Sequence, residues 1–309
     1  MTPSIALAGA VDGSVLRAAG WQVRGSLHLT PYDDLRDVPS YPGVADLLAD
    51  EGLDAVALDA SDPLLARHLP ALLEKGLHVL LPEAVPLDGE LLADARSAAL
   101  RSGAEVVVAF VTRWEPWAVT AAAAVGIVGS PVLQATVRGW PRGVAAAAEL
   151  VDLARGWCGD VVSVSAALAP LPASTLGEGL PVAWTMLHAS GATTLVSHEG
   201  APPLARLSFA TARLEAGPLR ARWEGGAELP MLPPADFEEG DLSARPLAAP
   251  GTPSGLLACA VALRRAVPTR EVATGAWPWP ADLGDLHAVG RVLAALRESS
   301  RAEAPARVG

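Results

Sequence analysis

Lysine is almost missing from this chain: Lys75 is the single example, and every other basic side chain is arginine. With 23 basic against 34 acidic residues the net charge is −11, which argues against a nucleic-acid or anionic-membrane partner, since either needs clustered Lys and Arg. Cysteine is equally scarce. Cys158 and Cys259 stand far apart, without the close spacing of a zinc or dithiol site, so no metal is expected and a reducing, cytoplasmic setting is. No apolar run approaches the ~20 uninterrupted residues of a membrane span, and the N-terminus lacks the basic-then-apolar order of a secretory leader. Aliphatic residues are plentiful. At 51% hydrophobic a full core is available, and 309 residues make room for two domains.

The chain opens on a strand, Ile5 to Ala8, that runs through a tight turn into a helix. This is how a dinucleotide-binding βαβ unit begins, with the turn G-x-G-x-x-G. Gly9 fits the first glycine, but Val11 takes the second place and Ser14 stands near the third. The second glycine lets backbone touch a pyrophosphate, and a β-branched side chain fills that space. Asp12 adds negative charge beside a helix N-terminus that should receive an anion. Gly9 and Gly13 are therefore read as relict cofactor-binding glycines.

Strand and helix then alternate. Val15 to Ala19 completes a helix capped by Gly20, and Trp21 to Leu29 alternates as a second strand, with no ribose-binding acid at its end before Asp33. Val44 to Asp50 is a short helix. Asp54 to Leu58 is a third strand, Pro63 to Lys75 a helix, Leu77 to Leu81 a fourth strand, Glu90 to Ser102 a helix and Glu105 to Val111 a fifth strand. This spacing predicts a parallel sheet with helices on both faces.

Near residue 130 the pattern changes. Val132 to Arg138, Val161 to Ala166, Val182 to Ala189, Thr193 to His198, Leu204 to Leu214 and Leu219 to Trp223 are strand-like, with turns at Ser190-Gly191 and Ala216-Gly217. A helix, Ala145 to Arg155, lies between the first two. Leu229 to Pro250 reads as an irregular surface loop, Ser254 to Val267 as a helix, and Asp282 to Ser300 as a terminal helix capped by Asp282. Arg301 to Gly309 is expected to fray. The fold class is α/β: an N-terminal Rossmann-like parallel sheet over residues 1–112, then an α+β domain over 113–309 with an open, mostly antiparallel sheet.

The order of these pieces resembles the Gfo/Idh/MocA family of glucose-fructose oxidoreductase and inositol dehydrogenase. Leu53-Asp-Ala-Val-Ala-Leu-Asp-Ala-Ser-Asp-Pro is similar to that family's third strand and loop, and Leu72-Leu-Glu-Lys-Gly-Leu-His-Val-Leu-Leu to its fourth. Gly159-Asp-Val-Val-Ser-Val-Ser-Ala and the terminal helix also fit. The resemblance spans nearly the whole chain and implies an NAD(P)-binding domain followed by a sheet domain for substrate and oligomerisation.

It also implies site residues that are missing here. The family's Glu-Lys-Pro loop after the fourth strand carries its catalytic lysine, and this chain reads Glu83-Ala84-Val85. The Asp and His one turn apart on a later helix correspond to Ala145 and Glu149. The Thr-Pro pair after the third strand appears as Ala60-Ser61, and the histidine further along that loop maps near Leu65. Cofactor and catalytic positions fail together on a scaffold that still reads cleanly.

The remaining polar residues leave alternatives open. Glu83 and Glu149 are the catalytic candidates; base rates favour Glu83 as a solvated loop carboxylate, and Glu149 with Asp152, three residues on, reads equally as an ordinary polar face. Arg138, Trp140, Arg142 and His188 are the substrate-binding candidates, since the family's substrate lies near this region. Trp140 also suits packing at a domain seam, and His188 with His198 suits a paired histidine on a hairpin rather than a metal site.

Three functions are carried forward. The first is a degenerate family member without hydride transfer, serving as a non-catalytic or accessory subunit. It would pair through its C-terminal sheet with itself or with an active paralogue. The second is a non-redox enzyme of isomerase, cyclase or lyase type in the old cleft, with a place in natural-product biosynthesis. The third is an NAD(P)-dependent oxidoreductase of a sugar or related alcohol. No cofactor is expected under the first two, and NAD(P) under the third.

Overall fold

Strands with every residue buried need cover on both faces, and the first half of the chain supplies them. The computed structural model describes residues 2–27, 38–138, 143–166, 181, 183–197, 204–226, 228–231, 254–269 and 280–309. In chain order the strands are β1 Ser4–Ala8, β2 Gln22–Leu27, β3 Ala55–Leu58, β4 His78–Leu81, β5 Val106–Val108, β6 Gln134–Arg138, β7 Val161–Ala166, β8 Ala183–His188, β9 Thr193–Ser197, β10 Leu204–Ser208, β11 Arg213–Gly217, β12 Arg220–Trp223, β13 Glu228–Leu229 and β14 Ala306–Arg307. The helices are α1 Gly13–Ala18, α2 Val44–Ala49, α3 Pro63–Ala66, α4 Leu69–Glu74, α5 Gly89–Ser102, α6 Pro116–Val128, α7 Val144–Cys158, α8 Ser254–Thr269 and α9 Leu283–Ala302.

The chain divides into two compact units, Met1–Val111 with Glu239–His287, and Thr112–Glu238 with Ala288–Gly309. The described residues 254–269 and 280–287, expected with the second domain, thus join the first. There α8 packs on α1, β4 and β5, and Trp21 donates its ring N–H to the Ala260 carbonyl at 2.9 Å.

In the first unit β2-β1-β3-β4-β5 form a parallel sheet. β1, β3, β4 and β5 are buried at every position, the pattern of strands sandwiched between helices. The strand C-termini and the loops beyond them therefore lie at one edge, where ligands of such folds collect. The helix expected over Pro63 to Lys75 is two, α3 and α4, separated at Arg67-His68. Pro70 explains the break: it lacks an N–H and disfavours helical geometry before it, so it is accommodated in the first turn of α4. β5 is shorter than expected because the Val108 amide donates to Ala281 and a 3-10 turn follows at Val111–Trp114.

In the second unit nine strands form one sheet in the order β13-β12-β11-β10-β6-β9-β8-β7-β14, antiparallel except where β6 runs parallel to β9. Helix α6 packs on β11, β12 and α7, and α7 on β9. Alternating burial along β6, β8, β9 and β10 leaves the other sheet face exposed or half-exposed. This is the open, mostly antiparallel sheet expected from the sequence.

Two local expectations are corrected, and one helix is added. Leu204 to Leu214 is two strands, β10 and β11, because the Phe209 amide bonds Ala212 across a turn. The C-terminus does not fray: β14 pairs with β7, and Val308 donates to the Val162 carbonyl at 3.0 Å. Helix α6 has no counterpart in the sequence reading, since Pro-Trp-Ala-Val-Thr-Ala-Ala-Ala-Ala-Val-Gly-Ile-Val is apolar almost all round and shows no helical stripe.

Candidate functional site

The turn after β1 is where the sequence places a dinucleotide, and its geometry follows from β1 lying beside β3. Gly9 has φ +92°, and a Cβ there would meet the Asp59 Cβ at 2.5 Å and Leu65 Cδ1 at 2.8 Å. Glycine is thus required by the neighbouring strand's exit loop. Three of the turn amides are engaged within the chain. Gly9 N donates to Leu27 O at 3.0 Å, Ala10 N to Asp59 Oδ2 at 3.2 Å, and Val11 N to Gly9 O at 3.0 Å. Asp12 is the N-cap of α1, accepting Ser14 N at 2.9 Å and the Ser14 hydroxyl at 2.6 Å. Gly13, the second relict glycine, is buried as the first residue of α1. Val11 is 1% exposed, so its side chain turns into the core.

Asp59 was missed as a site residue. Its other oxygen accepts Ser61 N at 3.0 Å and Ser61 Oγ at 2.5 Å, an Asx turn that the Asp-Ala-Ser order allows. Ala60, at the family's threonine position, and Leu65, near its histidine position, are both buried.

The loop after β4 turns Ala84 inward and Glu83 outward. Ala84 is 1% exposed, while Glu83 is exposed and its carbonyl accepts Val85 N at 3.0 Å. No basic group stands at the position of the family lysine.

In the second unit, α7 presents Glu149 and Asp152, a turn apart, to the segment Thr112-Arg113. Glu149 Oε2 accepts the Thr112 amide at 2.9 Å. Asp152 takes Arg113 with both oxygens, Nε to Oδ2 at 2.9 Å and the second nitrogen to Oδ1. Arg113 and Asp152 are 1% and 2% exposed, and Glu149 8%. Both carboxylates therefore hold a chain segment in place. Nothing in the sequence beyond the three-residue spacing marked Arg113 as their partner.

His188 is a core residue. Its Nδ1 lies 2.6 Å from the Gly159 carbonyl, which only accepts, so Nδ1 carries the proton and Nε2 accepts from the Thr194 hydroxyl at 2.8 Å. Burial pushes its pKa below the ordinary 6.5, against the Gly159 carbonyl and Asp160, which favour the charged form. Cys158 Sγ lies 3.8 Å from the same hydroxyl, and burial pushes its thiol up to about 11. Arg138 is exposed at the end of β6; Trp140, Arg142 and His198 lie outside the described residues. Among the described residues no group of three or more His, Cys, Asp or Glu is placed to hold a metal, and no helix is long and apolar enough to cross a membrane.

No protein-family model and no curated protein sequence matches the chain. Solved structures do. An oxidoreductase from Agrobacterium radiobacter in complex with NAD+, L-tartaric acid and magnesium superposes with a TM-score of 0.69 at 16% identity, over 100% of this chain and 99% of that one. Aldose-aldose oxidoreductase from Caulobacter crescentus, complexed with glycerol, gives 0.71 at 16% identity over 99% and 100%. The apo scyllo-inositol dehydrogenase from Lactobacillus casei gives 0.73 at 12% over 99% and 98%. The chain has the two-part fold of the Gfo/Idh/MocA-type oxidoreductases that its sequence resembles.

Proposed function

We propose that this protein is a degenerate relative of those oxidoreductases that does not carry out hydride transfer, and that it acts as a non-catalytic or accessory subunit. The observation that carries the reading is the internal occupation of the β1–α1 turn. Asp59 holds the Ala10 amide and Asp12 the Ser14 amide, so two carboxylates stand where a pyrophosphate needs free donors. These carboxylates occupy two of the turn's donors and bring negative charge to it, and both effects oppose a dinucleotide bound there. The wider field acts in the same direction: the first unit has 21 acidic and 11 basic side chains, the second 13 and 12, so nearly all of the negative charge belongs to the first. Ala84 supplies no proton and no charge at the lysine position.

The non-redox reading is weakened by Glu149, whose carboxylate is buried and engaged by a backbone amide. Glu83 remains its one exposed acid. The oxidoreductase reading draws on the NAD+ complex of the Agrobacterium radiobacter neighbour, and NAD(P) is the cofactor it names.

Association through the second unit's sheet fits its open face, where Val162 and Leu187 are 41% and 44% exposed in an otherwise hydroxyl-rich surface. Two experiments test the proposal. Protein incubated with NAD+ and a panel of inositols and aldoses is expected to form no NADH; measurable reduction overturns the non-catalytic reading. Leu187→Glu is expected to lower the molar mass of the assembly in light scattering; an unchanged mass removes this face from the interface.

A further inference from the structure

The same sheet face changes character toward β12. Strand register lines up Thr136, Arg206, Glu215 and Arg222 in one row across β6, β10, β11 and β12, with Gln134, Ser208 and Arg213 in the row beside it. Alternation along a strand sends all of these to one side, and they line a concavity of about 370 Å³. Two carboxylates sit among the guanidiniums. Glu215 Oε2 accepts Arg206 through Nε at 3.1 Å and a second nitrogen at 3.0 Å, while Oε1 takes Arg222 at 3.2 Å and lies 3.8 Å from Arg220. Glu224 meets Arg213 at 3.2 Å.

With Glu228 of β13 opposite Arg222, four arginines stand against three glutamates, a surplus of one positive charge in a protein whose net charge is −11. Each guanidinium has five donors in a fixed fork, so the ion pairs hold the arginines in place without exhausting them. Arg206, Arg213 and Arg222 remain 55%, 67% and 42% exposed. The floor adds the Gln134 amide and the Thr136 and Ser208 hydroxyls, polar groups that suit oxygen-rich ligands. A concavity of this size accommodates a small molecule.

We propose that this concavity between β6, β10, β11 and β12 binds a small, multiply charged oxyanion, a compound bearing phosphate or carboxylate groups. Arg213 and Arg222 bind it, and Glu215 acts as the anchor that orients the fork of Arg222 toward it. The site lies in the second unit and does not depend on the absence of redox chemistry.

The test is calorimetric titration of the full chain at low salt with inorganic pyrophosphate and, separately, citrate. Saturable binding with Kd below about 1 mM is expected for at least one of them, weakening as salt is added. Preference between the two identifies phosphate or carboxylate as the group recognised. Arg222→Gln and Arg213→Glu are expected to weaken binding about tenfold or more. Arg213 is exposed enough that its variant folds even if Arg222→Gln does not. Arg67→Gln, in the first unit, is expected to leave affinity unchanged. Absence of saturation for both anions up to about 10 mM, or equal losses in Arg213→Glu and Arg67→Gln, overturns the proposal.

Discussion

Asp59 Oδ2 accepts the backbone amide of Ala10 at 3.2 Å, joining the loop after β3 to the turn after β1. The same loop fixes the residue at Gly9, on a turn whose second and third glycine positions hold Val11 and Ser14. The Asp59 Cβ would lie 2.5 Å from a Cβ at position 9, so the glycine answers to the aspartate.

Gly9→Ala is therefore expected to destabilise the fold whatever the protein binds. The positive φ and the collision together cost about 2 kcal/mol or more, read as a lower urea midpoint with an unchanged slope. Wild-type stability in that variant would mean the glycine is not dictated by Asp59.

Arg113 and Asp152 form a two-pronged ion pair with both side chains at most 2% exposed. Removing one partner leaves a buried charge, so Arg113→Met or Asp152→Leu alone is expected to cost about 3–5 kcal/mol. The double variant should recover a large part of that loss, because desolvation of both charges disappears with them. A double-mutant cycle in urea measures the coupling, and additive losses would contradict it.

His188 gives the fold a pH dependence of known sign. Its folded pKa lies below the unfolded 6.5, so around and below that pH the unfolded chain binds the proton the native state refuses. Its contribution is complete above the unfolded pKa and is lost as pH falls through 6.5 toward the folded value. Unfolding free energies at about pH 7.5 and about pH 5.5 should therefore fall more in wild type than in His188→Gln, which is less stable at both. Equal falls would mean that His188 titrates normally.

Cys158 and Cys259 are 4% and 0% exposed, and the Cys158 thiol is raised to about 11. Thiolate is the reactive form. A thiol reagent at neutral pH is expected to leave the native protein unlabelled and to modify two sites in denaturant. Fast labelling of the native protein would contradict the burial of both.

The elements of the first unit were legible because their signals are local: fully apolar short strands, and glycines such as Gly20, Gly76 and Gly103 at φ +71° to +85° closing the preceding helices. What sequence missed depends on distant partners. β14 is a strand only because β7 offers an edge, and β5 stops where Ala281 takes its hydrogen bond. Helix α6 is hidden by uniform apolarity. The turn between β10 and β11 contains neither glycine nor proline to mark it.

The site divides in the same way. The altered glycine pattern and Ala84 were visible in the sequence, and so was the outward place of Glu83 as a solvated loop carboxylate. The engagement of Ala10 by Asp59 was not, since it requires β1 and β3 in register across 49 residues. The same distance effect hid Arg113, whose ion pair with Asp152 joins residues 39 apart in sequence.

The most direct test of the account is a titration with NADH and NADPH followed by intrinsic fluorescence, for which nine tryptophans serve as reporters. With Asp12 and Asp59 holding the turn amides, no saturable change is expected up to millimolar cofactor. Saturation at micromolar cofactor would contradict it and restore the oxidoreductase reading.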